Sequence, residues 1–150
     1  MYTMNRSALA YYRQSGIENT TVPVELNYRE LKSRGCAGEE LVVYGYLPLM
    51  VSAQCVVKTV YGCKKCPGIL TMTDRKGKAF GVRQVCSECY NLIYNSQPLV
   101  LYDLCKELDA LKAGGWRYIF TTETPNEALA VLSGEKPDSL TRGHFNRGVE

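Results

Sequence analysis

The sequence predicts an α/β fold, a partial (β/α) TIM-barrel-like domain that carries a cysteine-bearing β-hairpin as an insertion. Strand-like apolar segments alternate with amphipathic helical segments along most of the chain, and residues 41–46 form a continuous apolar run. Such a run is typical of a strand that is buried on both faces, as in a parallel sheet. The segments make up about four βα units, too few to close an eight-stranded barrel. We therefore expect a fragment of a larger domain, with neighbouring strands outside this sequence.

The first half of the chain contains two predicted helices and two predicted strands. The helices cover 5–15 and 28–34, and the second has Asn27 as its N-cap, with a glutamate three residues later that completes a capping box. The strands are the β-branched segment 20–25 and the apolar run 41–46. This order of elements is βαβ-like.

The second half contains the predicted hairpin and then a return to alternation. Segments 69–73 and 79–84 are strand-like and are joined by a polar loop with a glycine. The elements expected after the hairpin are a strand over 91–95, a helix over 99–112, a strand over 116–122 and a helix over 125–132. We interpret residues 1–150 as one domain fragment, with the hairpin insertion at about 50–90.

The composition excludes several classes of protein. Hydrophobic residues make up 45% of the chain and charged residues 22%, which is typical of a globular protein and not of a disordered one. The net charge of +3 is too small to predict nucleic-acid binding by itself. No apolar run reaches the roughly 18 residues of a membrane span, and the N-terminus lacks the layout of a signal peptide. We expect a cytoplasmic protein without a membrane partner.

Cysteines give the strongest functional signal, since the chain has seven of them. In the reducing cytoplasm, clustered cysteines bind metals or do chemistry more often than they form disulfides. Five fall within 35 residues, namely Cys55, Cys63, Cys66, Cys86 and Cys89. The last four form two C-x2-C pairs, the spacing of a zinc ribbon, in which a hairpin brings the pairs together. Because that interpretation leaves Cys55 over, a 4Fe-4S cluster with more varied ligand spacing is the alternative. We expect Cys36 and Cys105 to be small packed residues.

Several separated motifs resemble the U32 peptidase family. The segment Glu40–Cys55 resembles the signature of that family, and Asp74-Arg75, residues 86–96 and residues 143–150 are similar to further family motifs in the same order. The family was named for collagenase-like peptidases. It also includes iron-sulfur proteins that hydroxylate RNA bases or ubiquinone precursors without molecular oxygen, with prephenate implicated as the oxygen source. The resemblance therefore implies a barrel-like domain with a metal centre. It also implies that this chain is the later part of that domain, with the remaining barrel strands of the parent protein as its partner.

Applied to this sequence, the resemblance implies that Cys55, Cys63, Cys86 and Cys89 bind a 4Fe-4S cluster, with Cys66 as an alternative ligand. Zinc remains the alternative metal. The expected function is oxygen-independent hydroxylation of rRNA or tRNA bases, with RNA as partner and prephenate as co-substrate. A collagenase-like peptidase and a non-catalytic zinc-ribbon binding module are the alternatives. The peptidase has less support, because the chain has one histidine and no H-E-x-x-H motif.

Other polar residues are weaker candidates. Glu25 and Glu123 lie at the C-terminal ends of predicted strands, where barrel active sites lie, and His144 is the third catalytic candidate. Four arginines are candidates for binding a phosphate or carboxylate of the substrate, namely Arg75, Arg83, Arg142 and Arg147. A helix-dipole role for the glutamates and a solvated surface role for the others are the ordinary alternatives. Separated from the missing strands, the chain is expected to be inactive.

Overall fold

The computed structural model describes residues 3–63 and 68–147. The strands, in chain order, are β1 (Glu40–Gly45), β2 (Pro48–Ser52), β3 (Ile69–Thr73), β4 (Ala79–Val85), β5 (Tyr90–Tyr94), β6 (Leu99–Val100) and β7 (Gly115–Ile119). The helices are α1 (Arg6–Gln14), α2 (Tyr28–Arg34), α3 (Val56–Tyr61), α4 (Cys105–Leu111) and α5 (Pro125–Leu132). The strands form two sheets, sheet A in the order β6-β1-β7 and sheet B in the order β2-β5-β4-β3. None of the helices in the described ranges is long and apolar enough to cross a membrane.

The prediction of a partial TIM barrel is wrong. Within the described residues the sheets do not close into a barrel, and β1 and β7 are the one pair of these strands that runs parallel. The strand β6 is antiparallel to β1, and every pair in sheet B is antiparallel. The reason is that β1 continues into β2, and β5 continues into β6 in the opposite direction, so the paired strands run antiparallel. Parallel strands would need a crossover connection between them.

The predicted helix over 99–112 is replaced by β6 and the shorter helix α4. Leu99 and Val100 pair with the end of β1, and the amide of Leu101 donates to the carbonyl of Val43 at 2.7 Å. All three of these apolar residues are buried. Burial beside β1 is therefore the reason why they form a strand, although their spacing also fits a helix.

Other predicted elements are confirmed. The hairpin of β3 and β4 pairs Thr73 with Ala79 next to the polar loop. Helix α2 has the predicted capping box, in which Asn27 and Glu30 each accept a hydrogen bond from the other's backbone amide. The helix Pro125–Leu132 also has the predicted bounds. Neither β2 nor α3 was predicted.

The main hydrophobic core surrounds β1, which is buried from Leu41 onward. Its members come from the segment before α2, from α2 itself, from sheet A, from α4 and α5, and from the C-terminal segment. At the end of β1, Gly45 has φ of +151°, and a Cβ there would lie 2.7 Å from the carbonyl oxygen of Ile119 on β7. A side chain is therefore excluded where the two parallel strands meet.

A buried ion pair lies at the beginning of β1. Glu39 is fully buried, and the guanidinium of Arg34 donates to its carboxylate at 2.6 Å. The hydroxyls of Thr3 and Thr20 donate to the same carboxylate. Burial alone would raise the pKa of Glu39, but the hydrogen bonds from Arg34, Thr3 and Thr20 hold that pKa below its usual value. The charged form of Glu39 is therefore the one that the fold stabilises.

We expect Glu39→Gln to lower the free energy of unfolding by about 3–5 kcal/mol, because Arg34 would be left as an unpaired buried charge. Glu40→Gln is the matched control. Its ion pair with Arg117 is 46% exposed on both sides, so the loss should be about 0–1 kcal/mol. Urea unfolding of both variants measures the difference, and equal losses would contradict the assignment.

The same pair predicts a pH dependence. Since the folded-state pKa of Glu39 lies below its unfolded value, the stabilisation is fully present above about pH 4.3 and is lost as the pH falls through the folded-state pKa. The difference in unfolding free energy between wild type and Glu39→Gln should therefore shrink in acid. Urea unfolding curves between neutral pH and pH about 3 would measure it.

Candidate metal centre

Four cysteines from separate segments line one cavity of about 120 Å³, namely Cys55, Cys63, Cys86 and Cys89. One of them precedes α3 and one follows it, while the other two lie in the turn between β4 and β5. Because β3 runs antiparallel to β4, the beginning of β3 lies beside the end of β4. The four cysteines that the resemblance implies as ligands thus line the same cavity, and their role as ligands stays a prediction. The alternative ligand Cys66 lies outside the described residues.

The thiols line the cavity without meeting at one point. Within residues 3–63 and 68–147, no three His, Cys, Asp or Glu side chains are close enough together to hold a metal ion as they stand. The donor chemistry nevertheless fits, because cysteine thiolates bind both zinc and iron-sulfur clusters. A metal held by all four would require their side chains to turn inward into the cavity.

Cys55 is held by two N–H donors. It is the N-cap of α3, and its Sγ accepts a hydrogen bond from the backbone amide of Lys58 at 3.5 Å. The side-chain Nε2 of Gln84 donates to the same sulfur at 3.4 Å. Hydrogen bonds to a thiolate stabilise its negative charge. The surroundings of Cys55 therefore suit a sulfur that acts as a metal ligand.

Cys89 has an unusual backbone conformation. Its φ is 54°, and of the described residues other than glycine only Lys112 also has a positive φ. The left-handed conformation costs a residue with a Cβ roughly 1–2 kcal/mol. The turn from Cys86 to Cys89 therefore carries a backbone cost at position 89 that a glycine there would avoid.

We expect Cys89→Gly to raise the free energy of unfolding of the metal-free protein by about 0.5–1 kcal/mol, since glycine adopts this conformation without steric cost. Lys112→Gly is the matched control, because it makes the same backbone change at the end of α4 with a φ of 52°. Denaturant unfolding compares the two variants. A loss of stability at position 89 alone would show that the Cys89 thiol stabilises the metal-free turn.

Two amide side chains beside the cavity were not predicted as site residues. Gln84 and Asn91 both line the cavity and are 7% and 1% exposed. The Nδ2 of Asn91 donates to the carbonyl of Gln54 at 2.8 Å and to that of Ser52 at 3.3 Å, which fixes the segment before Cys55. The signal was available in the sequence, because Gln84 shares a strand face with the apolar Val82 and so interrupts an apolar face.

Lys58 is the one charged side chain among the described residues that line the cysteine cavity. Of the four predicted arginines, none lines it. Arg75 is exposed in the hairpin loop, and Arg83 is exposed on β4, where strand alternation directs it to the face opposite Gln84. Lys58 was not predicted, because its position depends on helix α3, which was not predicted either.

Arg142 makes hydrogen bonds that hold two segments of the chain together. Its guanidinium donates to both carboxylate oxygens of Asp103, at 2.5 and 2.9 Å, and to the carbonyl of Val100 at 2.6 Å. The hydrogen bond from Arg142 is the main reason why the pKa of Asp103 lies well below its usual range. These contacts fasten the C-terminal segment to the end of β6. Arg147 lies nearby and lines, together with Arg29, a separate cavity of about 450 Å³.

The glutamate candidates have different surroundings. Glu123 lines a cavity of about 300 Å³ with Tyr44 and Tyr46, beyond the C-terminal ends of β1 and β7. One of its carboxylate oxygens accepts from the amides of Thr121 and Thr122 at 2.6 and 2.9 Å. Burial and then the Glu123 carboxylate raise the pKa of Tyr44. The other two catalytic candidates, Glu25 and His144, are exposed. The catalytic roles of all three residues stay predictions.

The two cysteines expected to be packed differ from one another. Cys36 is buried, as predicted, and its thiol donates to the carbonyl of Leu31 at 3.6 Å, while burial raises its pKa. Cys105 is exposed, so the prediction for it is wrong. The reason is that α4 begins at Cys105 and buries Leu108 and Leu111 instead.

Comparison of this chain with protein-family models, with curated proteins and with solved structures finds no match. The geometry by itself defines a two-sheet α/β protein with a cysteine-lined cavity at one end of its second sheet. The resemblance to the U32 family rests on the sequence motifs alone, and what it implies for function is a matter of proposal.

Proposed function

We propose that this chain holds an iron-sulfur centre through Cys55, Cys63, Cys86 and Cys89 and serves in oxygen-independent hydroxylation of RNA bases. The observation that carries the first part is that Cys55 lines the same cavity as the other three cysteines. A zinc ribbon built on the two C-x2-C pairs would give Cys55 no role. The ligand set that includes Cys55 is the one that the U32 resemblance implies for a 4Fe-4S cluster.

The hydroxylase part of the proposal rests on the U32 resemblance. Replacing a C–H bond of a base by C–OH is a two-electron oxidation of the base. A donor R–OH that leaves as R–H supplies the oxygen atom, accepts the two electrons and takes up the hydrogen, so the reaction balances without molecular oxygen. The resemblance indicates prephenate as that donor. When bound, an iron-sulfur cluster supplies electron transfer.

The protein's own contribution at this site is positioning. Lys58 lines the cavity with the cysteines, and we propose that its ammonium group contacts an anionic group of the substrate, either an RNA phosphate or a carboxylate of the donor. Thiols beside an accessible cavity suit the reducing cytoplasm. The peptidase alternative has less support, since a cysteine nucleophile needs a base and His144 does not line this cavity.

We expect Cys55→Ser to abolish the iron-sulfur centre, because serine replaces one of four thiolate ligands. Cys105→Ser, which changes an exposed cysteine outside the cavity, is the matched control and should retain the wild-type content of iron and sulfide. The measurement is anaerobic reconstitution, followed by assay of iron, sulfide and zinc per chain and by the visible spectrum. One zinc per chain that survives Cys55→Ser but is lost in Cys66→Ser would contradict the proposal and establish the zinc ribbon.

The RNA part has its own test. The expectation that the chain is inactive alone depended on the partial barrel, which the two-sheet topology contradicts. Cells that produce the wild-type chain should therefore contain RNA nucleosides heavier by one oxygen atom, detected by mass spectrometry of digested rRNA and tRNA. Cells that produce Cys55→Ser should lack them, and cells that produce Lys58→Gln should contain less. An intact iron-sulfur centre without any hydroxylated nucleoside would retain the metal centre and refute the assignment to RNA for this chain.

A further inference from the structure

A row of polar side chains crosses sheet B beneath the cysteine cavity. Gln84 on β4 pairs directly with Asn91 on β5, and Asn91 pairs with Ser52 on β2. Direct cross-strand partners point to the same face of a sheet. The next pair on that face is Val82 with Ile93, and both of these residues are buried. Two buried amides therefore occupy positions at which the apolar neighbours on this face predict apolar residues.

Burying these amides lowers the stability of the fold. A polar group removed from water destabilises the fold unless it finds hydrogen-bond partners, yet the side-chain oxygens of Gln84 and Asn91 have none in the described structure. The orientation of Asn91 is fixed, because its Nδ2 meets two carbonyl oxygens. The partner found for the Nε2 of Gln84 is the sulfur of Cys55. The contact with Cys55 is therefore the feature that distinguishes Gln84 from an apolar residue of the same size.

We infer that Gln84 is a positioning residue that sets the reduction potential of the centre held by Cys55, through its N–H···S hydrogen bond. This inference rests on the proposed iron-sulfur function. Reduction adds negative charge, part of which resides on the ligand sulfurs, and a donor aimed at one of them stabilises the reduced form. Hydrogen bonds to ligand sulfurs are among the factors that set cluster potentials. The donor makes the centre easier to reduce.

The test is the midpoint potential of the reconstituted full chain. Gln84→Met keeps the length of the side chain and removes the donor, while Gln84→Asn keeps the amide and withdraws it from the sulfur. Both variants should shift the potential to more negative values. Gln54→Met is the matched control, since Gln54 is exposed, is adjacent to Cys55 and directs its amide to Thr59 instead. Its potential should equal that of wild type.

A second measurement separates this inference from the proposed function. Cobalt(II) bound by the same thiolates gives a sulfur-to-metal charge-transfer band, and loss of the donor should move that band to lower energy in Gln84→Met and Gln84→Asn. If wild type binds no cluster, the iron-sulfur function fails and the cobalt band decides the role of Gln84. An unchanged potential, or an unchanged cobalt band, overturns the inference. A wild-type chain that takes up neither metal overturns both proposals.

Discussion

Both sheets depend on one bent antiparallel ribbon. The strands β1 and β2 form one side of it and β5 and β6 the other, with β1 paired to β6 in sheet A and β2 paired to β5 in sheet B. Between the sheets, the amide of Asn95 donates to the carbonyl of Leu47 at 2.9 Å, so the pairing is maintained across the bend. This ribbon rules out the parallel βα units that the sequence indicates. It also carries the cysteine-bearing sheet away from the core around β1.

Both ends of the ribbon bury polar groups, with different partners. At the beginning of β1 the carboxylate of Glu39 accepts from Arg34, Thr3 and Thr20, while the Nε of Arg34 has no partner among the described residues. In sheet B the buried amides of Gln84 and Asn91 each keep an oxygen without a partner. A buried polar atom without a partner costs stability. Around Glu39 a buried ion pair offsets that cost, whereas in sheet B the amide nitrogens donate to Cys55 and to the segment before it.

The sequence predicted local features better than pairing. Capping residues and turn residues act within a few positions, so α2, α5 and the β3–β4 hairpin were found with nearly correct bounds. The four cysteines implied by the U32 resemblance line one cavity, and their role as ligands stays a prediction. The direction of β5 and β6 depends on contacts across more than 40 residues, from Val100 to Tyr44 for example. An apolar run shows that a segment is buried but not which neighbour buries it, so the barrel prediction failed there. Lys58 was missed because helix α3 was not predicted.

Sheet B has little apolar support of its own. Its buried face offers Val82 and Ile93, while Leu49, Met50 and Val51 on β2 are all more than half exposed, at 58%, 53% and 65%. The cysteines lie where this sheet ends, in the β4–β5 turn and in the segments that flank α3. A centre bound to all four would join three parts of the chain that the hydrophobic core does not hold together. Because binding energy at such a site is also folding energy, the metal centre we propose would supply the stability that the composition of sheet B does not.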